Sequence, residues 1–362
     1  MILLSAGGTG GHIFPAAALA EDLKSRGFEV ALATDLRALK YKDSFVGVDV
    51  HVLKSSAWSG GVAGKLKGCV SMGLGYMQAK ALLTKLKPEI VIGFGGYPSV
   101  PAVYAAQRMK IPTIIHEQNA ILGKANVLLS ARAERIALSH EDSIGLDSED
   151  KIRAVVTGNP VRKGVADLFT EPYPDVQTDG AFNIFVMGGS LGATVLSKVV
   201  PAALAQLPDV YRNRINVVQQ CREEDKQHLM AKYKDAGISA EIDVFFNNVP
   251  AQLQKAHLVI ARAGASTVSE VSTAGRPAIY VPYPHHADDQ QKINAEAVAK
   301  KGGAWVMVES GFTADALSAR LETFLQTPQV LFKAAEAAQG CAKPDAGRRL
   351  GNLVVALARG WE

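Results

Sequence analysis

The sequence predicts an α/β protein of two similar domains, each with a parallel sheet, facing each other. Three observations carry this. The chain is 362 residues long, room for two domains at roughly 150 residues each. Apolar runs of four to seven residues, without strict alternation, recur between helical patterns, as strands buried on both faces and joined by βαβ crossovers would. A glycine loop closing the first run returns half a chain later. Gly7, Gly8, Thr9 and Gly11 correspond to Gly188, Gly189, Ser190 and Gly192, each 181 positions on, which marks a repeated unit.

The elements follow in order. Met1 to Ala6 is a strand, and Ala16 to Leu23 lies in the helix after the loop Gly7-Gly8-Thr9-Gly10-Gly11-His12. A strand, a tight glycine turn and a helix start bring bare backbone up to a phosphate or sugar. A Cβ would obstruct both the turn and the approach. Phe28 to Thr34, Ile90 to Gly93, Thr113 to His116, Arg135 to Ser139 and Ala154 to Thr157 are further strands. The pattern resets at Gly158-Asn159-Pro160, and residues 170–181, rich in Pro, Asp and Thr, form an exposed connection. Phe182 to Met187 opens the second domain. Ile215 to Gln219, Ile242 to Phe246, Leu258 to Ala261 and Ala278 to Pro282 continue it, with helices at Glu223 to Ala236 and Pro250 to Ala256. A final helix runs from Gly347 to about Arg359, with Leu350, Val354 and Leu357 on its apolar face.

Hydrophobic residues make up 48% and charged residues 20%, ordinary for a chain that buries large cores. The net charge of +4 is too mild for a dedicated nucleic-acid binder. Cys69, Cys221 and Cys341 lack metal-type spacing and fit a reducing cytoplasm. The first apolar run is too short for a signal peptide and has no basic leader, so a cytoplasmic protein is expected. The charge is unevenly placed. Residues 51–88 hold Lys54, Lys65, Lys67, Lys80, Lys85 and Lys87 and no acid, with Val70, Met72, Leu74 and Met77 between Lys67 and Lys80. That uncharged stretch is too short to span a bilayer, which takes about 20 residues. Framed by lysines, it suits an anionic membrane surface, each nearby lysine contributing roughly 1 kcal/mol; an ordinary helix with a solvated basic face is the alternative.

Standard nucleotide motifs fail. The dinucleotide fingerprint needs Gly or Ala where Ile13 stands, and a P-loop fails because Gly64-Lys65 is followed by Leu66. Asp35, where a ribose-binding acid would sit, keeps a dehydrogenase as an alternative. More telling is Ala261 to Glu270: a strand ends, a glycine turns, and hydroxyl residues open a helix. The free N–H groups and the macrodipole there favour a diphosphate without a metal, and Glu270 can accept from both ribose hydroxyls. A plain capped helix with a solvated Glu270 is the other reading. Gln290 and Gln291 both donate and accept, which suits sugar hydroxyls. His285, His286, Asp288 and Asp289 crowd one loop with no distant ligand to complete a set, so no metal or other cofactor is expected. In the first domain, Gly95-Gly96-Tyr97-Pro98-Ser99 and His116-Glu117-Gln118-Asn119 close neighbouring strands on the rim where ligands gather. Asn119 as a helix cap and His116 as a core histidine stay open.

Taken in order, GGTGGH, GGYPS, HEQN, GNPVR, GGSLGA, RAGAST-x-SE and QQ-x-x-NA make nearly the whole chain resemble the MurG family, within glycosyltransferase family 28. The resemblance implies the GT-B fold, two Rossmann-like domains with parallel sheets facing across a cleft. It places an acceptor- and membrane-facing domain at 1–160, joined by a C-terminal helix segment 341–362, and a donor-binding domain at 161–340. The implied reaction is inverting transfer of GlcNAc from UDP-GlcNAc to the C4 hydroxyl of the MurNAc of lipid I, giving lipid II for peptidoglycan. The implied place is the cytoplasmic face of the bacterial inner membrane, as a peripheral protein, with cell-wall synthesis and division proteins as partners.

Carried over residue by residue, Thr9, Gly10 and Gly11 lie near the donor and reacting groups, and Asn119 is a first-domain substrate contact. Arg162 and Ser190 meet the donor diphosphate, and Phe246 offers a backbone contact to uracil. Ala265, Ser266, Thr267, Val268, Ser269 and Glu270 run from diphosphate to ribose, and Gln290 and Gln291 meet the GlcNAc hydroxyls. Gly95, Gly96, Tyr97, Ser99, His116 and Glu117 belong to the acceptor side, and Lys65, Lys67, Val70, Met72, Leu74, Met77 and Lys80 to the membrane face. Leu191 and Ala263 depart from the family's usual glutamine and serine. Inversion takes one displacement at the anomeric carbon, so a base must assist the acceptor hydroxyl. His12 is the candidate, its imidazole having a reference pKa of about 6.5; hydrogen bonding to the diphosphate is its other reading. A UDP-GlcNAc 2-epimerase shares the donor site without needing the basic stretch. A non-catalytic UDP-sugar-binding module explains the donor features without transfer.

Overall fold

The structure, a computed structural model, describes all residues except 57–61, 178, 190–192, 285–288 and 361–362, and only the backbone of 62–67. The chain divides into two units, Met1–Arg162 with Lys343–Glu362, and Lys163–Ala342.

The first unit is built on seven strands: β1 Ile2–Ser5, β2 Val30–Thr34, β3 Asp49–Val52, β4 Ile90–Gly93, β5 Thr113–Glu117, β6 Arg135–Leu138 and β7 Ala154–Val156. They lie in the order β3-β2-β1-β4-β5-β6-β7, every pair parallel. Leu4 pairs with Leu32 on one side and Ile92 on the other. The apolar runs are continuous because both faces are covered. Ile2, Leu4, Leu32 and Ile92 pack under the helix Gly10–Ser25, while Leu3, Ala31 and Val91 face the helices Val62–Leu86 and Val100–Arg108. The strand order turns back between β1 and β4, so the loops leaving those two strands border the crevice where doubly wound sheets bind ligands.

The C-terminal helix Ala346–Ala358 belongs to this first unit and packs on the helix Gly10–Ser25. Leu350 and Val354 are fully buried there, each contributing about 1.5–3 kcal/mol. Gly351 sits between them because a Cβ would overlap the Asp22 carboxylate. That carboxylate pairs with Arg26 at 2.8 Å, and Arg26 donates in turn to Asn352 Oδ1 at 2.6 Å and to the Arg348 carbonyl at 3.1 Å.

The second unit repeats the plan with β8 Phe182–Met187, β9 Ile215–Gln220, β10 Ser239–Asp243, β11 Leu258–Ala261, β12 Ala278–Tyr280 and β13 Ala304–Val306, in the order β10-β9-β8-β11-β12-β13. In both units the first strand is third in line, and the turn-back lies beside it. The repeat extends to the backbone: Gly8 and Gly189, equivalent positions, have φ of +80° and +79°, a conformation that favours glycine.

Three strands differ from expectation, all at sheet edges. β3 has no apolar run, reading Asp49-Val50-His51-Val52 with none of the four buried. β13 has only three residues. β10 lies at 239–243 rather than 242–246, alternating exposed and half-buried positions; Phe246 leaves the strand and packs its ring edge-on to Phe185 at 6.1 Å. Edge strands bury one flank at most, so continuous hydrophobicity does not announce them. Among the described residues no helix is long and apolar enough to cross a membrane.

Candidate active-site rims

In the first unit the rim begins at the loop after β1. Asp35 Oδ1 accepts the Gly8 N–H at 2.9 Å and Oδ2 accepts from Arg37 Nε at 2.6 Å. Asp35 is buried and anchors the loop, which removes the acid on which the dehydrogenase alternative stood. Gly7 has no room for a Cβ against Pro98, nor Gly10 against the Phe14 ring. Thr9 is exposed and Gly11 half-buried at the start of the helix Gly10–Ser25, and the Thr9 carbonyl takes the His12 N–H at 3.2 Å. The Arg162 guanidinium lies 4.6 Å from the centre of the Phe14 ring.

His12, the third residue of that helix, is half-buried and rests on the loop after β4. An ideal Cβ on Gly96 would stand 3.2 Å from its Nε2, and Gly95 and Gly96 both have positive φ, +77° and +69°. The two glycines therefore let the chain turn and let the imidazole lie flat on it. Tyr97 is half-buried beside them. Ser99 does not face the rim: its hydroxyl donates to the Gly96 carbonyl at 2.9 Å, and it is fully buried.

The segment after β5 requires a larger correction. His116 and Glu117 were expected to meet the acceptor, yet they are 0% and 2% exposed. Glu117 accepts four hydrogen bonds. Oε1 takes the Asn119 N–H at 3.0 Å and Asn119 Nδ2 at 3.1 Å; Oε2 takes the Gly123 N–H and Asn126 Nδ2, both at 2.8 Å. Its carboxylate shapes the 119–123 loop and presents Asn119, which is half-buried, at the rim. His116 Nε2 donates to the Gly158 carbonyl at 3.0 Å. Burial pushes its pKa down to about 4, the Gly158 bond opposing and His12 adding to the fall. The ring is neutral at pH 7.

In the second unit, β11 runs into Gly264 and the helix Ala265–Thr273. Ser266, Thr267 and Ser269 are half-buried, whereas Ala265, Val268 and Glu270 are buried at 8%, 5% and 3% exposure. Ala265 thus offers a ligand only its backbone, and the Val268 N–H is already taken by the Gly264 carbonyl at 2.9 Å. Gln291, expected to meet sugar hydroxyls, has its Oε1 committed: it accepts the Ala263 N–H at 3.2 Å and the Tyr283 N–H at 3.0 Å. Its amide N–H pair alone remains for a ligand. Gln290 opens the helix Gln290–Ala299, half-buried. Phe246 is buried, its backbone in the loop after β10. Ser190, Leu191, His285, His286 and Asp288 lie outside the described residues. Among those described, no group of three or more His, Cys, Asp or Glu side chains could hold a metal ion.

Several site-building residues had no role in the sequence reading. Asn294, one turn after Gln291, donates to the Ala263 carbonyl at 3.3 Å, so one helix face grips the backbone on both sides of Ala263. Arg262 joins the loops after β11 and β12, donating to the Val281 and Pro282 carbonyls at 3.0 and 3.1 Å and pairing with Glu309 at 2.6 Å. Asn126 holds Glu117 and the His116 carbonyl. The i, i+3 spacing in QQ-x-x-NA was the visible signal for Asn294; Asn126 had none.

On the helix Val62–Leu86, Val70, Leu74 and Met77 are 57%, 46% and 61% exposed and follow i, i+4, i+7, one helical stripe. Lys80 is exposed as well. Met72, expected on that face, instead packs inward on the core. The side chains of Lys65 and Lys67 lie outside the described part.

Two duplicated doubly wound units, glycine loops at both turn-backs and a last helix returned to the first unit define the GT-B fold of glycosyltransferases. The N-terminal domain model of glycosyltransferase family 28 matches residues 2–138 and the C-terminal domain model 183–350; the chain belongs to that family and is a glycosyltransferase. It is 49% identical over 357 residues to the UDP-N-acetylglucosamine–N-acetylmuramyl-(pentapeptide) pyrophosphoryl-undecaprenol N-acetylglucosamine transferase of Rhodospirillum centenum, covering 99% of this chain and 94% of the relative. The crystal structure of Acinetobacter baumannii MurG matches with a TM-score of 0.76 at 30% identity over 98% of each chain. The UDP-GlcNAc 2-epimerase of Neisseria meningitidis shares the fold alone, at 13% identity and a TM-score of 0.67 over 98% of this chain and 100% of that one.

Proposed function

We propose that this protein transfers GlcNAc from UDP-GlcNAc to the C4 hydroxyl of the MurNAc of lipid I, making lipid II, by inverting displacement and without a metal. One observation carries the reading: near-full-length identity of 49% to a relative named for that transfer. The second unit holds the donor. The N–H groups and hydroxyls that open the helix Ala265–Thr273, with Ser190, meet the diphosphate as charge develops on the leaving UDP, and Arg162, the last residue of the first unit before the second begins, is the further diphosphate contact. Glu270 takes the ribose, the Phe246 backbone the uracil, and Gln290 with the Gln291 amide the sugar hydroxyls. The first unit holds the acceptor along Thr9 to Gly11, Gly95 to Tyr97 and Asn119, and His12 removes the proton of the attacking hydroxyl.

The same reading places the protein peripherally on the cytoplasmic face of the inner membrane. Val70, Leu74 and Met77 enter the headgroup boundary, and Lys65, Lys67 and Lys80 meet anionic lipid. Cell-wall synthesis and division proteins are its expected neighbours there.

The test is transfer of radiolabelled GlcNAc from UDP-GlcNAc to a short-chain lipid I analogue with EDTA present. Labelled disaccharide-lipid is the expected product. Release of ManNAc and UDP instead would make the protein an epimerase, and donor binding without turnover would make it a binding module. For the base, His12→Ala should lower kcat about 10²–10⁴-fold, the range general-base catalysis supplies; near-normal kcat would move the role elsewhere.

A further inference from the structure

We infer that Gln118 and His116 are positioning residues that hold His12 with its proton on Nδ1, leaving Nε2 a bare lone pair at the rim. The inference rests on His12 being the base and adds what prepares it.

A chain of hydrogen bonds fixes every proton because a backbone carbonyl, which can only accept, stands at each branch. His116 Nε2 lies 3.0 Å from the Gly158 carbonyl, so Nε2 carries the hydrogen. In the neutral ring Nδ1 is then an acceptor. Gln118 Nε2 lies 3.1 Å from that Nδ1 and 2.9 Å from the Phe94 carbonyl. Both partners accept, so the amide orientation is settled by chemistry and Oε1 points the other way. Oε1 lies 3.2 Å from His12 Nδ1. An amide oxygen cannot donate, so His12 Nδ1 must.

His116 and Gln118 are 0% and 2% exposed, so no water competes for these bonds, and burial keeps His116 neutral. A free histidine side chain favours the hydrogen on Nε2; the chain of bonds imposes the rarer tautomer, the second-partner control that sets which ring nitrogen is basic. Gly96, without a Cβ, gives the Nε2 edge its room: a Cβ there would stand 3.2 Å from Nε2.

In the reaction, the acceptor oxygen forms its bond to the anomeric carbon as that carbon's bond to the diphosphate oxygen breaks, and UDP leaves with the electron pair. The hydroxyl proton passes to His12 Nε2. The imidazolium keeps its Nδ1–H bond to Gln118, and the proton stops there, since a neutral amide does not take it on. The array orients and selects the tautomer; it is not a proton wire.

The test is ¹⁵N NMR of the full chain with labelled histidine, the His12 signal being assigned by its loss in His12→Ala. Wild type should show Nδ1 protonated and Nε2 bare. Gln118→Met, of similar length without an acceptor, should shift His12 toward the Nε2–H form and lower kcat by roughly 10- to 100-fold, part of what a general base supplies, with KM for UDP-GlcNAc unchanged. Gln118→Glu keeps an acceptor toward Nδ1 and should keep His12 protonated there, which a merely structural role would not predict, while its second oxygen, facing the Phe94 carbonyl and His116 Nδ1 without a hydrogen to give, should leave kcat below wild type. A wild-type His12 protonated on Nε2 overturns the inference, even if Gln118→Met does not fold. A changed tautomer with unchanged kcat in Gln118→Met overturns it too. Near-normal kcat in His12→Ala would instead remove the base reading, and the spectrum would still report the tautomer separately.

Discussion

Glu117→Gln separates a loop-shaping carboxylate from a substrate-binding one. The native carboxylate accepts four N–H groups, two on each oxygen, at 2.8 to 3.1 Å. Glutamine replaces one oxygen with an NH₂ that faces two donors whichever way the amide turns. Either the Asn119 pair or the Gly123 and Asn126 pair loses its acceptor. A hydrogen bond to a charged group contributes about 1.5–3 kcal/mol, so losing two costs roughly 3–6 kcal/mol. At about 2–4 °C per kcal/mol for a unit of this size, a mid-range loss of about 4 kcal/mol lowers the first unit's melting temperature by roughly 8–16 °C. Scanning calorimetry measures this directly, with steady-state kinetics run well below the transition. A melting temperature equal to wild type with a raised KM for the lipid acceptor would refute the argument, because the carboxylate would then be meeting substrate.

Three further outcomes follow from individual contacts. Gly96→Ala forces φ +69°, ψ 158° on a residue with a Cβ, which costs about 1–3 kcal/mol, and presses the new methyl on His12; stability and kcat should both fall. Gly27→Ala, at φ +84° with nothing within 4 Å, should lose about 1–2 kcal/mol and keep its kcat, and equal kcat losses in the two variants would break the link to His12. His116 is neutral when folded, with its pKa lowered to about 4, while the unfolded ring takes a proton below about 6.5. Its contribution is therefore complete above pH 6.5 and lost as pH falls toward 4, roughly 3 kcal/mol in all. Thermal melts of His116→Gln across that window should be flatter than wild type, though not flat, since burial lowers His140 and His257 as well; parallel curves would contradict the assignment. Leu74→Glu, at an exposed site, should weaken sedimentation with anionic vesicles and leave UDP-GlcNAc binding intact, whereas unchanged vesicle binding would retire that helix face.

The interior of each sheet was legible because parallel strands covered on both sides must be continuously apolar. Ile90–Gly93, Phe182–Met187 and Leu258–Ala261 fall where the sequence places them. The glycine repeat was legible for a related reason: Gly8 and Gly189 share a backbone angle that side chains disfavour, so selection for shape left a mark in residue type. The edge strands β3, β10 and β13 left weaker marks, since a strand with one open flank tolerates Asp49 or Glu241.

Site residues were legible as positions and less so as tasks, and one physical cause covers both units. A glycine loop that offers its backbone to a ligand has no side chains to hold its own shape, so neighbouring elements must supply the restraint. Polar side chains behind the loops meet that need: Glu117 and Asn126 behind the 119–123 loop, Asp35 behind Gly8, and Gln291, Asn294 and Arg262 around the turns after β11 and β12. In sequence Glu117 and Gln291 look like substrate contacts, because a carboxylate or amide beside a glycine loop suits either task. In the segment after β5, burial separates the tasks. His116-Glu117-Gln118-Asn119 shows it within four residues: Glu117 fixes the loop, His116 and Gln118 face inward toward His12, and only Asn119 stands half-open at the rim. Substitutions behind the rim should therefore act on stability and kcat, and those on Asn119, Thr9 or Tyr97 on KM.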